Sequence, residues 1–171
     1  MKALMLQTER LYSTANDIPG SSRERLVALL NERLADCIDL QTQMKTAHWN
    51  VKGPGFIALH KLFDEINDTV VEYVDLIAER AVQLGGIAQG TARSVAQRSA
   101  LDEYPIDIGE GQQHLQALSA ALARFGARIR RAIGDADGLA DPGTADLFTE
   151  VSRGIDKALW FVEAHLQAKG D

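Results

Sequence analysis

A bundle of four long α-helices with one extended crossover is the fold this sequence predicts, and three observations predict it. Apolar residues recur at spacings of three and four over four long stretches, no stretch shows the alternation of a half-buried strand, and glycine or proline punctuates the breaks. The composition agrees, since 171 residues with 46% apolar and 25% charged side chains suit one globular domain.

Residues 1–19 show no sustained period and contain Asn16, Asp17 and Pro19, so they read as an N-terminal arm, with residues 20–171 as the bundle domain. Ser21-Ser22-Arg23-Glu24 has the form of a capping box at the start of the first helix. Leu26, Leu30, Leu34, Cys37, Gln41, Met44 and His48 then draw one mostly apolar face ending near Trp49. After the break at Gly53-Pro54-Gly55, Phe56, Leu59, Phe63, Ile66, Val70, Tyr73, Val74 and Ile77 mark a second long helix that Leu84-Gly85-Gly86 closes. Residues 87–106 form the longest connection, with Ala92 to Arg98 making one or two helical turns. Ile108, Leu115, Leu118, Leu122, Phe125, Ile129 and Ile133 mark the third long helix, stopped at Gly134 and followed by a short acidic loop. Asp141-Pro142 reads as an N-cap with proline at the first helical position, and Leu147, Val151, Ile155, Leu159 and Val162 carry the fourth helix almost to Gly170. The class is therefore all-α, in the ferritin-like arrangement, with the long crossover and its short helix joining the second and third long helices.

Charge limits the partners. Lys plus Arg number 18 against 24 for Asp plus Glu, so a body of net charge −6 repels nucleic acid and anionic lipid. The lone Cys37 cannot form an internal disulfide and suits a reducing compartment such as the cytoplasm. The opening Met1-Lys2-Ala3-Leu4-Met5-Leu6-Gln7 is too short for a signal peptide, and no apolar run approaches the ~20 residues of a membrane span.

Five residues stand out as metal ligands: His48, His60, Asp64, Asp75 and Glu79. Imidazole with carboxylate suits iron, zinc or manganese. His60 and Asp64 share a helix face four residues apart, as do Asp75 and Glu79. The two pairs cannot meet within one chain, because the 15 residues from His60 to Asp75 span roughly 22 Å of helix. Yet His60 and Glu79, and likewise Asp64 and Asp75, lie symmetrically about the Thr69–Val70 junction. A two-fold axis at that junction brings the first pair of one copy to the second pair of another, twice over. The 11 residues from Asp64 to Asp75 turn through roughly 1100°, about 20° from whole turns, so both carboxylates face such a partner. His48, at the end of the first helix, can complete the first pair. Taken singly each residue reads as a core histidine or a solvated acid; the symmetric set of five reads as a binding site.

Lys45-Thr46-Ala47-His48-Trp49-Asn50-Val51-Lys52-Gly53, followed by Phe56, Leu59-His60 and Phe63-Asp64-Glu65, resembles the signature of the Dps family, the DNA-protection-during-starvation mini-ferritins. The run from Asp75 to Gly86 and the segment Asp156-Lys157-Ala158-Leu159-Trp160-Phe161 resemble Dps segments too, and the similarity spans residues 11 to 167. The resemblance implies a hollow shell of about twelve subunits. It also implies a ferroxidase that binds Fe(II) between two-fold-related subunits, oxidises it with hydrogen peroxide in preference to dioxygen, and stores ferric mineral. On that reading His48, His60 and Asp64 bind iron from one subunit while Asp75 and Glu79 reach in from its neighbour. Trp49 becomes an aromatic beside the iron, although a packed core tryptophan suits it equally. The resemblance further implies acidic three-fold pores, for which Asp137 and Asp146 are the candidates, while Asp141 is already explained as an N-cap. Glu65, Asp68 and Glu72 read first as a solvated stripe and second as a cavity lining.

Ordinary ferritins place a di-iron centre inside one bundle through Glu-x-x-His motifs, and this chain has none: Glu110 stands four residues from His114, and Glu163 two from His165. The sequence also departs from DNA-binding Dps members, whose tails are rich in lysine. Lys2 and Arg10 are cancelled by Glu9 and Asp17 in the arm, and Lys169-Gly170-Asp171 adds nothing, so duplex DNA is expected to bind weakly or not at all. Two alternatives follow: a nucleoid-compacting shell whose metal sites are mainly structural, and a cage for zinc or manganese, which also enter as competitors of iron.

Overall fold

The computed structural model describes residues 10–167; the readings placed on Met1–Glu9 and on the Lys169-Gly170-Asp171 tail lie outside the described residues. Five helices follow in order: α1 (Gly20–Asn50), α2 (Phe56–Gln83), α3 (Ala92–Arg98), α4 (Gly111–Gly138) and α5 (Pro142–Gln167). Among the described residues the only extended pairing is an isolated bridge between Lys52 and Glu110. α1 pairs with α2 and α4 with α5, the two hairpins meet chiefly where α1 faces α4, and α3 lies on α1 within the crossover. Leu30, Leu34, Cys37, Phe63, Val70, Leu118, Phe125, Phe148 and Ile155 fill the space between them. No helix among the described residues is long and apolar enough to cross a membrane.

Three local expectations need correction. The capping box at Ser21–Glu24 does not form, because the helix begins at Gly20 with Pro19 as N-cap and both serines already inside it. The start is held instead by Asn16 Oδ1, which accepts from the Ile18 N–H at 2.9 Å, and by Arg23, whose Nε donates to the Ile18 carbonyl at 3.1 Å. A capping box occurs at α4, where Glu110 is the N-cap and the Gln113 side chain accepts from the Glu110 N–H at 3.2 Å.

Gly134 does not stop the third long helix either. α4 runs on to Gly138, so Asp135 and Asp137 belong to its last turn rather than to a loop, and Ile108 precedes it. A helical glycine costs only about 1 kcal/mol, and Ala136, fully buried one turn from the end, keeps the helix on the core. The stop comes at Ala140, a non-glycine residue with φ +60°. Its N–H donates to the Asp137 carbonyl at 2.9 Å and the Asp141 N–H to that of Ala136 at 3.2 Å, which together make a Schellman motif. The same motif ends α2 at the expected glycines, with Gly85 at φ +87°. There the Tyr12 N–H donates to the Gly85 carbonyl at 2.7 Å, so the described part of the arm docks on the end of α2.

Candidate metal centre

The turn between α1 and α2 brings His48 and His60 face to face. Their rings stack with centroids 3.7 Å apart and planes 22° apart, and Phe56 leans on His60 at 5.2 Å. Each imidazole is tied to the backbone of the other's helix: His48 Nδ1 lies 2.7 Å from the His60 carbonyl oxygen and His60 Nδ1 lies 2.9 Å from that of His48. A carbonyl only accepts, so both Nδ1 atoms must carry the proton and donate. The consequence is chemical: in the neutral rings both Nε2 atoms keep a lone pair, the form in which imidazole binds a metal.

Asp64 joins this pair, its Oδ1 lying 3.8 Å from His48 Nδ1. It also reaches a residue that the sequence reading left aside. Lys45, one turn before His48 on α1, donates from Nζ to Asp64 Oδ1 at 2.6 Å. That hydrogen bond holds the Asp64 carboxyl below its ordinary range although burial opposes it. The only signal available beforehand was the three-residue spacing from Lys45 to His48, which many surface lysines share.

Asp75 and Glu79 are exposed farther along α2, where they cannot reach His48, His60 or Asp64 of the same chain. Among the described residues no three metal-binding side chains converge within one chain. His48 and His60 stack, Asp64 lies near the Nδ1 edge of His48, and Asp75 and Glu79 stand apart from all three. Glu79 borders a shallow notch with Ala78, Val82, Gln83 and Ala88.

The remaining candidates sort by burial. Trp49 is 69% exposed in the single chain, so the packed-core reading of this residue is wrong. Asp137 and Asp146 are both exposed, near the corner where α4 gives way to α5. Asp141 is 2% exposed and accepts from the Thr144 N–H at 3.2 Å, which makes it the N-cap of α5. His114 is buried against Tyr104, with 2.6 Å between the hydroxyl and Nδ1, whereas His165 is exposed and bonded to its own helix.

Comparison with known proteins identifies the family. Residues 27–169 match the ferritin-like domain family. The chain is 46% identical over 160 residues to a DNA protection during starvation protein of Agrobacterium fabrum, covering 94% of this chain and 99% of that one. Among solved structures it is similar to Dps of Mycobacterium smegmatis in its tetragonal form, with a TM-score of 0.88 at 30% identity over 94% of this chain and 97% of that one. It is similar also to a Dps of Streptomyces coelicolor, with a TM-score of 0.90 at 35% identity over 95% and 96% of the two chains.

Proposed function

The chain belongs to the Dps branch of the ferritin-like family, and from that premise we propose that it captures Fe(II), oxidises it with hydrogen peroxide and stores the ferric product inside a homo-oligomeric shell. Dioxygen serves as the slower oxidant, the shell holds about twelve subunits, and DNA is protected by removal of iron and peroxide rather than by tight binding. The compartment is the cytoplasm, which the single cysteine suits. The observation that carries this reading is the reciprocal bond between His48 and His60, which leaves the Nε2 lone pair of each imidazole free for a metal.

Iron is the substrate here. His48, His60 and Asp64 of one subunit bind it together with Asp75 and Glu79 of the partner subunit, across a two-fold axis at the Thr69–Val70 junction. Exposed apolar side chains support that axis: Ile57 and Val82 flank the ligands on α2 and are also symmetric about the same junction. Antiparallel pairing sets Ile57 of each copy against Val82 of the other, which buries both and sheds water from the site. Each peroxide accepts two electrons, one from each of two ferrous ions, and with two protons yields two waters. The carboxylates favour the ferric product by their charge, and the pairing of electrons denies the hydroxyl radical a single-electron route. Trp49, exposed beside His48, comes to lie near the bound iron. Asp146, and with it Asp137, lines the route by which Fe(II) is drawn through the shell.

The test is direct. Purified protein is loaded with Fe(II) without oxygen, peroxide is added, and ferric absorbance is followed in the wild type and in an Asp75→Ala, Glu79→Ala variant. Fast oxidation with a soluble product in the wild type alone supports the shared ferroxidase. Equal behaviour of the two removes it and favours the structural-site or zinc readings.

A further inference from the structure

Glu79 sits one turn from the end of α2 and has no hydrogen bond or ion pair among the described residues. Its neighbour Arg80 turns the other way. Arg80 Nη2 donates to both carboxylate oxygens of Asp141 at 2.9 Å, and Nε donates to Thr144 Oγ1 at 3.0 Å. Asp141 is buried, and it caps α5 through the Thr144 N–H and accepts a further bond from the Thr144 hydroxyl. The backbone closes on the guanidinium as well, because a Cβ on Gly143 would stand 3.1 Å from Arg80 Nη2.

This network spans the sparsely packed seam between α2 and α5, whereas the rest of α2 leans on α1. Helix ends fray unless tied down, and a metal ligand must be held to a fraction of an ångström. An exposed ion pair would do little here, but a partly buried one, in which Arg80 Nη2 meets both oxygens of the buried Asp141 while Nε holds Thr144, fixes the guanidinium in orientation. We propose that Arg80 and Asp141 are positioning residues of the shared metal site, acting through Glu79, whose backbone they hold against the start of α5. The inference rests on the two-fold reading above. It gives Asp141 a task inside the subunit and ties the acidic α4–α5 corner to the site.

Co(II) is the probe, since its visible absorption reports coordination without oxidation. It is titrated into the assembled wild type and into Glu79→Ala, Asp141→Asn, Arg80→Lys, Thr144→Val and the double variant Glu79→Ala/Asp141→Asn, with thermal unfolding measured alongside. Asp141→Asn and Arg80→Lys are expected to weaken Co(II) binding by about 10-fold and to change its spectrum, the usual effect of removing a group that orients a ligand. Thr144→Val, which spares the ion pair, is expected to do the same to a smaller extent and covers the case in which a charge variant does not assemble. In the Glu79→Ala background Asp141→Asn is expected to cost nothing more, because the residue it works through is gone. Unchanged affinity and spectrum with only a lower Tm, or an equal loss with and without Glu79, would overturn the proposal. If Glu79→Ala itself leaves Co(II) binding intact, the shared site falls together with it, so that single variant tells the two failures apart.

Discussion

On the proposed reading, Lys45 and an incoming divalent metal compete for Asp64. The ammonium occupies Oδ1 at 2.6 Å and keeps the carboxyl ionised, but an aspartate of ordinary pKa 3.8 is ionised at neutral pH without help. Lys45→Met is therefore expected to tighten Co(II) or Zn(II) binding by about 30-fold, the effect of removing one unit charge ~4 Å from a divalent ion in water. Asp64→Asn is expected to weaken it, and calorimetric titration of both variants checks the opposite signs. The proposed ligand set comes from the sequence, where imidazoles and carboxylates placed symmetrically on one helix face form a pattern that chance seldom supplies. The competing lysine was not legible there, since its effect depends on the α1–α2 turn that brings Nζ to residue 64. Trp49 shows the same limit: its neighbours name it aromatic and adjacent to a ligand, but only the packing shows that it faces outward.

At the scale of elements, side-chain periodicity located all four long helices and the short α3, while the ends that depend on backbone conformation were harder to read. Gly134 looks like a stop and is not one, because the burial of Ala136 outweighs the loss of helix propensity. Ala140 looks like nothing and is the stop, held at φ +60°. Since the left-handed conformation costs an alanine more than a glycine, Ala140→Gly is expected to stabilise the chain by about 0.5–1 kcal/mol, with a higher Tm as the readout. A lower Tm would mean that the αL turn is not strained.

A pH dependence belongs to this scale as well. Burial, and after it the Lys52 charge, pushes the His114 imidazole below its ordinary pKa of 6.5, although the Asn50 carbonyl partly offsets them. Above that value folded and unfolded chains both hold a neutral ring, and stability is full. As pH falls through 6.5 the unfolded chain takes up a proton that the folded one refuses, so stability declines until the lower folded value is passed. Urea midpoints are expected to fall on acidification below about pH 6.5, and His114→Gln, which cannot titrate, is expected to flatten that fall. An identical slope in the variant would assign the pH dependence to other groups.

For the whole molecule, the proposed function turns on a ligand set that is complete only across two chains. One chain stacks His48 on His60 near the start of α2 and exposes Asp75 and Glu79 toward its other end, and the helix between them is too long to bend into one site. The sequence carried this conclusion further than the single-chain structure does, because symmetry about the Thr69–Val70 junction is a property of the residue order. The acidic body and the balance of charge in the arm likewise follow from composition, and on the proposed reading duplex DNA is expected to bind weakly.

Subunit mixing tests the shared site most directly. A His60→Ala/Asp64→Ala chain and an Asp75→Ala/Glu79→Ala chain are each expected to be inactive alone. Co-assembled, each mixed dimer rebuilds one intact site from the second chain's His60 and Asp64 and the first chain's Asp75 and Glu79. Random pairing then restores about a quarter of the wild-type sites, as two-fold symmetry requires. The measurement is the rate of peroxide-driven Fe(II) oxidation in the co-assembled shell. Recovery toward that fraction is the expected result, and a mixture no more active than its parents, in shells shown to contain both chains, would contradict a site shared between subunits.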